Sequence, residues 1–152
     1  MAHSYAGTDT TGNNQMATGY LYETKEPPYY TANTLGAGGI VSTASDLLKW
    51  AAALSSYQLL SKEMSTAMCE PRVAYSDWDA FYGYGWMIDQ HRFAASAAPH
   101  TIVYHPGTDI GFYTMFVRQT DNEGVIILLS NTGDFPRFDL TDMILNAMKG
   151  GQ

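Results

Sequence analysis

Positive charge is scarce in this chain. Only eight of its 152 residues are Lys or Arg, against fifteen Asp and Glu, for a net charge of −7. The eight are scattered, so neither a nucleic-acid footprint nor an anionic membrane surface is served, since both need clustered cations. Cysteine is scarcer still. Cys69 stands alone, which excludes an internal disulfide and a thiol-based metal site and suits a small buried apolar role. No apolar run approaches membrane-spanning length; the longest is Val125-Ile126-Ile127-Leu128-Leu129. Met1 to Gln15 is polar, without the apolar centre of a signal peptide. The compartment stays open.

Several catalytic signatures are missing too. Gly36-Ala37-Gly38-Gly39 lacks the Gly-Lys-Ser/Thr ending of a phosphate loop and the third glycine of a dinucleotide fingerprint, so it reads as a tight turn. There is no Gly-x-Ser-x-Gly elbow and no His-Glu-x-x-His. His91, His100 and His105 have no carboxylate or thiol at ligand spacing, and Asp77-Trp78-Asp79 lacks the rest of a calcium loop. Neither metal nor cofactor is expected.

What is present describes a folded α+β chain. Aliphatic and aromatic residues make up 45% of it, enough for a packed core. Residues 1–35, rich in Gly, Thr, Asn, Tyr and Pro, are largely irregular, with a short strand at Tyr20-Leu21-Tyr22 and a break at Pro27-Pro28. So long an irregular segment makes sense as part of something larger. A helix over 43–54 carries Leu47, Leu48, Trp50, Ala51 and Leu54 at helical spacing, capped by Ser42 or Thr43, with Asp46 as the partner three residues on. A second, capped by Ser61, runs to about Met68. Residues 70–80 read as a surface loop, Tyr82 to Ile88 as one strand, and 91–99 as a hairpin-like connection. Three antiparallel strands follow, at Thr101–Tyr104, Phe112–Val117 and Val125–Leu129, with a turn at Asp121-Asn122-Glu123-Gly124 before the last. A closing helix presents Leu140, Met143, Ile144 and Ala147 and ends at Gly150. The expected architecture is an antiparallel sheet with packed helices, apolar on both faces, with the closing helix on one face and helix 43–54 over part of the other, which leaves that face short of cover.

The stretch Tyr104-His105-Pro106-Gly107-Thr108-Asp109-Ile110-Gly111-Phe112 gathers a histidine, a proline and two glycines at one strand junction. Such a junction suits a ligand meeting a sheet edge, although a strand-end histidine more often has a structural role.

The order of motifs resembles the C-terminal part of the serine β-lactamase-like and penicillin-binding protein family, which includes class C β-lactamases, D-alanyl-D-alanine carboxypeptidases and related esterases and peptidases. Four stretches carry the likeness: Ala17-Thr18-Gly19-Tyr20; Gly38-Gly39-Ile40-Val41-Ser42-Thr43-Ala44-Ser45-Asp46-Leu47; Tyr82-Gly83-Tyr84-Gly85-Trp86; and His105-Pro106-Gly107 with Gly111-Phe112. The last is similar to the family's Lys-Thr-Gly or His-x-Gly strand. The likeness spans residues 1–152, a single partial domain smaller than half of a family domain. It implies that His105 helps position substrate, that Gly107 lets substrate approach the backbone and that the Thr108 N–H is one oxyanion-hole donor, and it leaves Tyr104 and Asp109 as groove candidates with a structural role equally open. Pro106 departs from the lactamase hydroxyl residue and can donate through neither side chain nor N–H, which leans toward the esterase or peptidase branches.

The family's two other motifs are absent. The residues three before Lys25, Lys49, Lys62 and Lys149 are Tyr22, Asp46, Leu59 and Asn146, so there is no Ser-x-x-Lys; and no Tyr or Ser is followed two places on by Asn. A serine nucleophile without its base is a poor one, and here the serine itself is missing. The resemblance therefore implies a hydrolase portion inactive alone, meeting either copies of itself or a complementing N-terminal chain. A non-catalytic binding or structural module reusing the sheet, and a self-contained hydrolase built on Ser42 and His105, are the other readings.

Overall fold

The computed structural model describes residues 1–6, 16–27, 34–93, 101–121 and 124–149. Expectations for Pro28, for most of the 91–99 connection, for Asn122 and Glu123 and for Gly150 fall outside them. Three short strands open the chain: β1 (Tyr5–Ala6), β2 (Tyr20–Leu21) and β3 (Thr24–Lys25). Then come β4 (Ile40–Val41), which pairs with β1, and helix α1 (Ala44–Ser55). Thr43 caps α1, its Oγ1 accepting from the Asp46 N–H at 3.2 Å. Helix α2 (Lys62–Met68) is capped in the same way by Ser61, at 3.3 Å.

The central sheet has six antiparallel strands in the order β10-β9-β8-β7-β6-β5. These are β5 (Val73–Tyr75), β6 (Ala80–Tyr82), β7 (Met87–Asp89), β8 (Ile102–Asp109), β9 (Phe112–Gln119) and β10 (Val125–Ser130). Helix α3 (Arg137–Lys149) closes the fold. No helix among the described residues is long and apolar enough to cross a membrane.

Two expectations are corrected here. Residues 70–80 are no plain loop, because Val73–Tyr75 forms a strand followed by a 3-10 turn at Ser76–Trp78. Residues 82–88 are not one strand but the corner of a hairpin. Gly85 takes φ +77°, the Gly83 N–H donates to the Trp86 carbonyl, and the chain turns back. The aromatic residues that suggest a strand go three ways: Trp86 packs with Trp50 and Phe116, Tyr82 meets His105, and Tyr84 is exposed beneath the Arg72 guanidinium.

Alternation along the strands builds two cores. Ile102, Tyr104, Met115, Val117 and Ile126 pack with Leu145 of α3, joined by Phe93 and Phe138. On the other face Val103, Trp86 and Ile88 meet Leu54 of α1, with Trp50 and Phe116 against them. Trp50, Trp86 and Phe116 form a ring cluster with centroids 5.4–6.0 Å apart. Helix α1 thus packs on the second face, where helix 43–54 is expected to supply part of the cover. What stays open is the sheet's rim: the outer edge of β10 has no strand partner among the described residues.

Candidate active-site wall

Strand β8 runs further than its β-branched start suggested, continuing through Pro106 to Asp109. Its pairing with β9 covers every residue from Ile102 to Asp109, whereas its pairing with β7 stops at Tyr104. From His105 to Asp109 one edge of β8 is therefore without a strand neighbour among the described residues. A proline is tolerated in a strand that is open on one side, where a missing N–H leaves no ladder bond unmade.

The strand ends in a two-residue turn. Asp109 pairs with Phe112, and Gly111 takes φ +69° between them. The turn is held against the segment at 17–20. A Cβ on Gly111 would lie 2.6 Å from the Tyr20 nitrogen, and one on Gly19 would lie 2.8 Å from the Phe112 ring. Only two glycines let these backbones approach so closely. The Asn131 side chain donates to the Thr18 carbonyl at 2.8 Å, and Tyr20 exchanges backbone bonds with Asn131 and Gly133. Two stretches far apart in sequence thus brace the same strand turn.

His105 is exposed, and both of its ring nitrogens are engaged. Nδ1 lies 2.8 Å from the Pro106 carbonyl oxygen, and Nε2 lies 3.0 Å from the Tyr82 hydroxyl. A carbonyl can only accept, so Nδ1 carries a proton. In the neutral ring Nε2 then accepts from Tyr82, whose hydroxyl is the proton donor of the pair. Nothing in the sequence marks Tyr82 as a functional residue. It comes from the end of β6, and only the hairpin brings it within reach.

Gly107 sits where any side chain would strike Thr114 Oγ1. Its carbonyl accepts from Arg137 Nη1, and Arg137 Nη2 donates to Thr108 Oγ1 at 2.8 Å. Arg137 opens α3 and is only 9% exposed; its guanidinium also lies over the Tyr113 ring at 4.7 Å. Burial lowers the pKa of this group. Beside it is an open depression of about 380 Å³ that Arg92 also lines.

Tyr104 does not join this wall. It is fully buried between Phe93 and Phe138, because alternation turns it into the core while His105 turns out. Its expected place in the groove is corrected on that ground. Ser42 and His105 are not brought together as a pair either: Ser42 Oγ meets Ser4 Oγ at 2.8 Å, and His105 meets Tyr82 and Pro106. Among the described residues no three His, Cys, Asp or Glu side chains cluster as a metal site.

Residues 1–148 match the Beta-lactamase family. The chain belongs to that family. It is similar to penicillin-binding protein 4* of Bacillus subtilis (strain 168), with 27% identity over 131 residues, 78% of this chain but 28% of that protein. Among solved structures it resembles the octameric penicillin-binding protein homologue from Pyrococcus abyssi, at TM-score 0.82 and 19% identity, covering 99% of this chain and 34% of the other. It also resembles the D-amino acid amidase from Ochrobactrum anthropi SV3 complexed with L-phenylalanine, at TM-score 0.78 and 20% identity, over 99% of this chain and 47% of the amidase. These likenesses establish a β-lactamase-like α+β fold. The chain spans less than a third of the curated relative it matches and between a third and a half of these two structures.

Proposed function

We propose that this β-lactamase-like chain supplies one wall of a serine hydrolase site and is inactive alone. The observation that carries this reading is the free β8 edge. His105, Gly107 and Thr108 stand on it in the order of the family's strand motif, while no Ser-x-x-Lys and no Tyr-x-Asn occur anywhere in the 152 residues. The nucleophile, its lysine and the tyrosine of the proton relay have to come from elsewhere. Acyl transfer needs them beside an oxyanion donor, and the Thr108 N–H is the donor this chain offers. His105, held by Tyr82, is the polar group that positions substrate. Pro106 removes a donor at the position where a lactamase hydroxyl would sit, so an ester or peptide amide is the favoured substrate class. The partner that completes the site is a complementing N-terminal portion; a further copy of this chain covers strand edges but brings no nucleophile.

The test mixes this chain with the N-terminal portion of a related domain and follows chromogenic ester and β-lactam hydrolysis. Ester turnover that appears only on mixing, and falls on His105→Ala, is the expected result. Ligand binding at the β8 edge with no turnover from any mixture would replace this reading with that of a binding module.

A further inference from the structure

Gly107 and Thr108 are joined by one peptide bond. That bond is planar and trans, so the Gly107 carbonyl and the Thr108 N–H point in opposite directions from the same plane. Whatever fixes one fixes the other. Arg137 holds this unit twice, donating to the Gly107 carbonyl and to Thr108 Oγ1. The clamp is itself well anchored. Arg137 is nine-tenths buried, its guanidinium lies over Tyr113, and its own backbone carbonyl accepts from the buried Thr141 hydroxyl at 2.7 Å. Tyr113 is the residue that pairs with Thr108 across the sheet, so ring, clamp and peptide unit form one packed group.

A second effect is electronic. A guanidinium on a carbonyl oxygen draws electron density through the amide, and hydrogen bonds in series polarise one another. The Thr108 N–H becomes a stronger donor than an unassisted amide. We infer that Arg137 is a positioning residue which sets both the direction and the donor strength of the Thr108 N–H toward a developing oxyanion. This rests on the reading of the β8 edge as the acyl-binding wall. Arg137 touches neither substrate nor reacting atoms in this scheme; it acts through the peptide unit.

The experiment reads the peptide unit directly by NMR in the full 152-residue chain. In Arg137→Met the Gly107 carbonyl carbon and the Thr108 amide proton are expected to move upfield together, while the Val117 and Ile126 amides in the core stay in place. Arg137→Lys keeps the charge but loses the two-pronged geometry, so a partial shift is expected, and this variant carries the readout if Arg137→Met fails to fold. In the mixed assay Arg137→Met should lower kcat by about tenfold or more with KM little changed, the pattern of a weakened oxyanion donor. Unmoved Gly107 and Thr108 resonances overturn the inference, as does a shift shared equally by the core. If the wild-type mixture turns nothing over, the hydrolase reading fails, and the resonances still decide whether Arg137 orients the peptide.

Discussion

At Asp46 a carboxylate has left the surface entirely. Its backbone N–H donates the expected cap bond to Thr43 Oγ1, but its side chain does not reach back to complete a capping box. It accepts instead from the His3 N–H at 2.7 Å, from Ser4 Oγ at 3.0 Å and from Lys49 Nζ at 3.0 Å. One residue thus ties the amino-terminal segment to the start of α1. The His3 N–H, with help from Lys49 and Ser4, holds its pKa well below the ordinary carboxylate range although burial works the other way. A depressed carboxylate stabilises the fold fully above its unfolded-state value, near 4, and that contribution is lost as pH falls toward the folded value. Asp46→Asn should therefore lower Tm at neutral pH, and its deficit against wild type should shrink as pH drops below about 4. A deficit independent of pH in thermal scans would show that the charge contributes nothing. Tyr104 supplies the opposite case. Its hydroxyl is buried with no hydrogen-bond partner among the described residues, and burial pushes its pKa up to about 12. Tyr104→Phe removes an unsatisfied polar group and should be neutral or stabilising by about 1 kcal/mol. A clear loss in urea unfolding would mean that the hydroxyl has a partner.

The elements differ in how far the sequence announces them. Helices α1 and α2 are legible because a Thr or Ser cap precedes each, and in α1 an apolar stripe follows it. The strands β8 to β10 are legible from β-branched and aromatic runs. Strand β5 and the β6–β7 hairpin are not: with two or three residues between turns, periodicity has no room to show, and Gly83 and Gly85 look alike in sequence. In the structure Gly85 makes the turn while Gly83 lies where a Cβ would strike the Met68 carbonyl. The site divides in the same way. His105, Gly107 and Thr108 follow from one contiguous motif, whereas Tyr82 and Arg137 depend on pairing and packing that join residues 23 and 30 positions away. Arg137 did leave a signal, since a cation in the first turn of a helix faces the positive end of the dipole and needs a compensating partner. The glycine turns offer a graded test at this scale. Gly36 takes φ +91° with nothing near its absent Cβ, while Gly111 takes φ +69° against the backbone of Gly19 and Tyr20. Gly36→Ala should cost only left-handed strain, about 1 kcal/mol. Gly111→Ala adds a backbone collision, should cost at least about 2–3 kcal/mol, and should weaken the bracing of β8 by 17–20. Equal costs in chemical denaturation would remove that bracing from the account.

Across the whole molecule the unresolved demand is at the rim rather than on the faces. Helices α1 and α3 pack on the two sides of the sheet, yet among the described residues the outer edge of β10, Val125-Ile126-Ile127-Leu128-Leu129-Ser130, has no strand partner, and it carries no Lys, Pro or Gly to discourage pairing. Such an edge recruits another strand unless something blunts it. The net charge of −7 opposes self-association, more strongly at low salt where repulsion is unscreened. Leu129 is 44% exposed, so Leu129→Lys places a charge beside the edge at little cost to the core. Sedimentation velocity on the isolated chain should therefore show association that grows with salt and with concentration, and Leu129→Lys should shift it toward monomer without loss of Tm. Addition of a complementing N-terminal portion that pairs with the β10 edge should compete with that self-association. A wild-type chain that stays monomeric at every salt and concentration, and does not bind such a portion, would show that the β10 edge is tolerated as it stands and would remove the need for any partner there.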